Sequence, residues 1–141
     1  MNRAKFFMNG DAREWLEKAE GDFEGAVQLS KKRSDRTAHL LCFACQQSAE
    51  KFLKAFLVEK SVRFSKTHDL ELVLLPLCAK VDNEFRVLKD YLKKLDPYAV
   101  GFRYPGDQIE PSDVRAALDA AKKVRRFVRG KLGLERQKKL L

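Results

Sequence analysis

An all-α fold, an antiparallel up-and-down bundle of about five helices, is what this chain of 141 residues predicts. Three observations point to it. Apolar residues recur at helical spacing along nearly the whole chain, no segment shows the strict alternation of a half-buried strand, and the connections between periodic runs are mostly short and polar. With 45% apolar and 35% charged residues the composition is globular rather than disordered. The length fits one domain whose core needs no disulfide or metal staple.

The first helix is expected from Asp11, with Glu14 three residues on in the pattern of a capping box, to about Ser30. Trp15, Ala19, Phe23, Ala26 and Val27 make its apolar stripe, and "KKRSDR" is a polar linker after it. The second helix, from about Thr37 to Lys60, is apolar most of the way round, so it packs on more than one side and is the central one. At 100° per residue, Gln46, Gln47, Glu50, Lys51 and Lys54 nevertheless gather in one sector of roughly 140°. A polar strip therefore runs along the most buried helix.

The third helix opens at "THDLELVLLPLC", with Thr67 as N-cap and Asp69 in the first turn, and Pro76 shortens or kinks it. A fourth, from about Asn83 to Leu95, uses Phe85, Leu88, Leu92 and Leu95. The stretch "DPYAVGFRYPGDQIEPSD", Asp96 to Asp113, holds three of the four prolines and is a loop long enough to carry function. The last helix opens at Pro111 or Ser112 and reaches about Gly130, with Val114, Ala117, Leu118, Ala121, Val124, Phe127 and Val128 inward. Residues 1–10 read as an N-terminal extension, 11–130 as the bundle and 131–141 as a basic tail.

The net charge of +9 is unevenly placed: nine basic residues and one acidic residue fall in Lys122–Leu141, leaving about +1 for the first 121 residues. A near-neutral body favours a small ligand or a protein partner over a long nucleic acid, whose binding wants phosphate contacts spread over the fold. The basic end has two readings, a solvated helix end whose cations complement the macrodipole or an arm that contacts RNA. Cys42-x-x-Cys45 lies inside a helical run with no second Cys/His pair at ligand spacing, so the three cysteines read as small buried apolar residues and no metal is expected. No apolar stretch has signal-peptide length and nowhere do about 18 apolar residues run together, which gives the expectation of a cytoplasmic chain that avoids membranes.

"QQSAEKFLKAFL", then "KTHDLELVLL", then "FRYPGD" before a closing helix resembles the HEPN domain (higher eukaryotes and prokaryotes nucleotide-binding) in pattern, order and spacing, over roughly Asp11 to Arg129. The resemblance implies a helical bundle, commonly a homodimer, that binds nucleotide or RNA without a cofactor. Many such proteins work beside a small nucleotidyltransferase in toxin–antitoxin-like pairs. Some are metal-independent ribonucleases with an arginine and a histidine separated by four to six residues, and "RFSKTH" sets Arg63 and His68 at that spacing, four residues between them.

The residues themselves offer three clusters. In the first, His68 at a helix start, where free backbone N–H groups attract anions, has Arg63, Lys66 and Thr67 beside it as a phosphate cradle, although Asp69 supplies competing negative charge. Either that, or His68 packs and hydrogen-bonds as a structural residue. For RNA cleavage, His68 would be the general acid or base on a ribose 2′-hydroxyl and Arg63 would stabilise the phosphate charge. In the second, Arg103 offers a planar fork for phosphate and Tyr104 a stacking face; alternatively Arg103 pairs with Glu50 and anchors the long loop. The third is the strip: Gln47, Glu50, Lys51 and Lys54 are expected to face Arg103 and Tyr104 across a groove, or else to form a plain dimer interface. His39 reads as structural. Catalytic, binding and pure scaffold functions all stay open on the sequence.

Overall fold

The computed structural model describes residues 9–32, 34–101 and 106–134. Among them run five α-helices and no strand: α1 (Gly10–Lys31), α2 (Ala38–Glu59), α3 (Leu75–Val81), α4 (Lys89–Leu95) and α5 (Pro111–Lys131). One π-type turn, Leu70–Leu74, leads into α3, and 3-10 segments Asn83–Leu88 and Asp96–Tyr98 flank α4.

α1 and α2 lie antiparallel, since Asn9 meets Glu59 at one end while the Ser48 hydroxyl donates to the Ala19 carbonyl at 3.1 Å midway. The expected start of α1 is corrected by two residues. Asn9, not Asp11, is the cap, its side-chain oxygen accepting from the N–H groups of Asp11 (2.8 Å) and Ala12 (3.4 Å). Its own N–H donates to Glu59 Oε1 at 3.0 Å, a tie to α2 that Asp11 is too far along to make.

α2 is the central element, packed against α1, α3 and α5. Cys42, Cys45, Ala49, Phe52, Leu53, Phe56 and Leu57 are all buried, as a helix apolar on most sides requires. It ends in a Schellman motif: Val62 N–H reaches Leu57 O at 2.9 Å and Ser61 N–H reaches Val58 O at 3.1 Å. Ser61 takes the left-handed conformation there, φ +58°, where glycine is usual. That turn sends the chain into the connection carrying Arg63 and His68.

The third helix begins later than expected. Asp69 rather than Thr67 is the cap, accepting from Leu72 N–H at 3.0 Å, while Thr67 Oγ1 accepts from Asp69 N–H at 3.0 Å. The first turn is a wide one, with Leu74 N–H bonded to Asp69 O at 3.1 Å, and it turns Leu70 and Leu74 inward. Pro76, which has no N–H to donate, falls in the first turn of α3. The expected helix from 83 to 95 divides into a 3-10 stretch and α4. In the tight stretch Phe85 and Leu88, three residues apart, both face the core; in α4 Leu92 and Leu95 take over.

α5 starts with the capping box of Glu110 and Asp113 and ends at Lys131, with Gly133 in the left-handed region beyond it. Its flanks are tied by charge: Arg125 Nε donates to Glu20 at 2.6 Å, Arg129 pairs with the same carboxylate, and Lys131 bonds Asp82 at 2.7 Å and Glu84. No described helix is long and apolar enough to cross a membrane. Burial pushes the Cys45 and Cys78 thiols up to about 12, so both stay neutral and pack as apolar groups.

Candidate functional site

The polar strip of α2 is largely sealed. Gln46, Glu50 and Lys54, one turn apart along a single row, are buried, while Gln47 and Lys51 are half-buried at its edges. Buried polar groups must find partners, and here each does. Glu50 Oε2 accepts from Lys54 Nζ at 2.9 Å; Oε1 accepts from Gln46 Nε2 at 3.3 Å and lies 2.8 Å from His68 Nδ1. Gln46 spends its second amide hydrogen on the His68 carbonyl at 3.2 Å, and its oxygen accepts from Gln47 Nε2 at 2.7 Å. One row on a central helix thus grips both the backbone and the ring of His68.

The grip is asymmetric. Glu50 is 4% exposed at its side chain and His68 is 68% exposed, so a buried carboxylate holds the inner edge of an imidazole whose outer edge faces solvent. A carboxylate at this site only accepts, so Nδ1–H donates and the Nε2 edge is the one turned away from Glu50. Arg63 and Lys66 are exposed on the same connection, with no ion pair to another described residue.

The sequence-based phosphate cradle at the start of the third helix needs correction. Its free N–H groups are occupied: Leu70 and Glu71 donate to the two oxygens of Asp96 at 2.8 and 3.1 Å, and Leu72 donates to Asp69. A carboxylate from 26 residues away already fills the place an anion would take. Thr67 is turned to Asp69 N–H and is half-buried, which leaves Arg63, Lys66 and His68 as the outward groups of that cluster.

Asp96 and Asp82 respond oppositely to pH. Burial holds the Asp96 carboxyl above its ordinary 3.8 despite its two N–H bonds, so its titration favours the fold below about 3.8, an effect lost as pH rises through the higher folded value. Hydrogen bonding from Lys131, then from Glu84 N–H, holds Asp82 below 3.8, so its contribution is present above 3.8 and lost as pH falls through the lower folded value. Thermal melts between about pH 3 and pH 7 should therefore show Asp82→Asn flattening the acid-side fall in Tm, whereas Asp96→Asn leaves that fall in place. Equal effects of the two substitutions would contradict this assignment.

Lys51 belongs to the other edge of the strip, where its Nζ meets Asp22 of α1 at 2.6 Å. Arg103 and Tyr104 lie outside the described residues. The loop does reach α2 at its near end: a Cβ added to Gly101 would lie 3.6 Å from Phe43 Cζ, one turn before Gln47 on the strip's own side. His39 stands one turn earlier in that row, its ring nitrogens buried with no hydrogen-bond partner among the described residues.

Two residues outside the expected clusters, Trp15 and Phe64, matter here, as does one contact of Gln46. Gln46 was visible as a member of the strip, but its hold on the His68 carbonyl was not. Trp15 and Phe64 meet edge to face at 6.3 Å, and the Lys54 ammonium lies 5.3 Å and 5.6 Å from their ring centroids, a cation wrapped by aromatic surface on the side Glu50 leaves open.

The family model described as the HEPN domain matches residues 12–131. Two solved structures share the fold. TT1696 from Thermus thermophilus is 28% identical with a TM-score of 0.68, over 87% of this chain and 99% of that one. ST0689, described as an archaeal HEPN homologue, is 21% identical with a TM-score of 0.65, over 86% of this chain and 97% of that one. A search of curated proteins found no match.

Proposed function

Since this chain belongs to the HEPN domain family, a family of nucleotide- and RNA-related modules, we propose that it binds a nucleotide or RNA at the surface around His68. The observation that carries the reading is the buried Glu50 carboxylate fixed on the exposed His68 ring at 2.8 Å. A buried charge costs stability unless it is paired, so a network spent on orienting one solvent-facing imidazole points to a ligand that the imidazole meets. Arg63 and Lys66 beside it supply cations for phosphate, and the strip edge adds Gln47 and Lys51. Arg103 and Tyr104 belong to the same proposal as a stacking and anion-binding wall, consistent with the approach of Gly101 to Phe43. The working unit is a homodimer paired with a small nucleotidyltransferase in a toxin–antitoxin-like system.

A second reading is favoured by the orientation of the ring. In a metal-independent ribonuclease, His68 Nε2 would take the proton of a ribose 2′-hydroxyl. The 2′-oxygen would attack phosphorus, the P–O5′ bond would break with the 5′-oxygen taking a proton from water, and Arg63 would stabilise the charge on the phosphate in passing. Glu50 would fix the tautomer this requires, as the carboxylate does in other His–carboxylate pairs. The near-neutral body places this reading second.

Two measurements separate them. Nucleotide at 100-fold above its Kd should stabilise the fold by ~2.7 kcal/mol, and His68→Ala should reduce that shift. RNA incubated in EDTA should remain intact with the wild type; cleavage that disappears in His68→Ala would instead make the ribonuclease reading the correct one.

A further inference from the structure

We propose that Trp15 is the base-stacking wall of a mononucleotide subsite whose phosphate end is held by Lys18 and Lys51, an inference that rests on the nucleotide-binding reading above. A cavity of about 320 Å³ opens between α1 and α2, lined by Glu14, Trp15, Lys18 and Lys51. Trp15 is half-buried, pinned edge to face against Phe64, and has the Lys54 ammonium 5.3 Å from its ring centroid. Those neighbours belong to the site already described. Phe64 lies on the connection that carries Arg63 and His68, and Lys54 is the partner of Glu50. The indole is therefore a rigid flat wall at the margin of the His68 surface.

Around it Lys18 and Lys51 stand with Glu14 and Asp22, and Lys18 is the cavity cation without an ion pair among the described residues. Lys18 is exposed three residues after Trp15 and makes no ion pair with a described residue, although Glu14 stands four residues before it in the orientation that usually pairs. Lys51 faces the cavity from α2, braced by Asp22 at 2.6 Å. The Lys18 ammonium, joined by the hydrogens of Lys51 that Asp22 does not take, matches a phosphate next to a base, and stacking is worth ~1–3 kcal/mol per base. Glu14 adds an acceptor for a ribose hydroxyl or an exocyclic amine. The volume lies at the lower end of the roughly 300–1,000 Å³ usual for ligand pockets, enough for one nucleotide.

Trp15 is the single tryptophan of the chain, so its emission reports on this cavity and on the Phe64 and Lys54 contacts beside it. AMP should quench it saturably, with a midpoint equal to the Kd from calorimetry, while ribose 5-phosphate leaves the emission unchanged. Lys18→Ala, at an exposed helix position, should weaken AMP about tenfold without changing the melt. Heat of binding for AMP with unchanged emission and an unaltered Kd in Lys18→Ala overturns the subsite while leaving nucleotide binding elsewhere intact. Quenching by a short oligo(A) but not by AMP overturns the mononucleotide class in favour of a strand. No heat with either ligand overturns both this inference and the reading on which it rests.

Discussion

Glu50→Ala should destabilise the protein by about 3–5 kcal/mol, the usual cost of removing one partner from a buried ion pair. The loss is large because the carboxylate serves three groups at once. Lys54, 5% exposed, would lose its anion and keep only the Trp15 and Phe64 rings beside its ammonium. Gln46 would lose an acceptor for its amide, and His68 would lose the bond that orients its ring. The double substitution Glu50→Leu with Lys54→Met replaces the pair by apolar groups of similar size, and should recover most of the stability without recovering the orientation of His68. Urea melts on the single and double variants provide the check. A single variant within about 1 kcal/mol of wild type would mean that water or movement of Lys54 compensates the charge, and the network would lose its place as the structural core of the site.

Phe85→Ala should cost a comparable ~3–5 kcal/mol, for a different reason. Phe85 is fully buried, its ring centroid 4.4 Å from that of Phe56 in α2 and 4.9 Å, edge-on, from that of Phe127 in α5. Three elements meet on that side chain, so truncation opens a cavity that no single helix can close by shifting. The two ring pairs add about 0.5–1.5 kcal/mol each beyond the buried area. The expected signature is a lower urea midpoint at unchanged m value, because the surface exposed on unfolding barely changes. A loss below about 2 kcal/mol would show that the 3-10 stretch collapses onto the gap. AMP binding measured under folding conditions should tolerate Phe85→Ala better than Glu50→Ala, since Phe85 packs between Phe56 and Phe127 while Glu50 holds the His68 ring itself.

The long helices were legible because their information is local. Trp15, Ala19, Phe23, Ala26 and Val27 repeat at helical spacing on α1, and Val114, Ala117, Leu118, Ala121, Val124, Phe127 and Val128 do so on α5; Trp15, Phe23, Val27, Leu118 and Phe127 are half-buried in the fold and the rest are buried. The breaks in the shorter helices were less legible. In two places neighbouring polar residues competed to cap a helix, Asn9 against Asp11 and Thr67 against Asp69. The winner was set by backbone direction just outside the helix and, for Asn9, by the reach of Glu59 from α2. Asp96, which closes the first turn of the third helix from 26 residues away, had no local signature at all.

Residue type and a 100° step are enough to establish that five helices form, that α2 is the buried one, and that Gln46, Glu50 and Lys54 share a row on it. What that row serves is a matter of long-range packing. Whether a buried carboxylate meets a lysine, an arginine from a distant loop or a histidine depends on which connection folds across it. Here the Schellman turn after α2 and the Asp96 cap bring the His68 segment over Glu50, and those contacts join residues 18 and 26 positions apart.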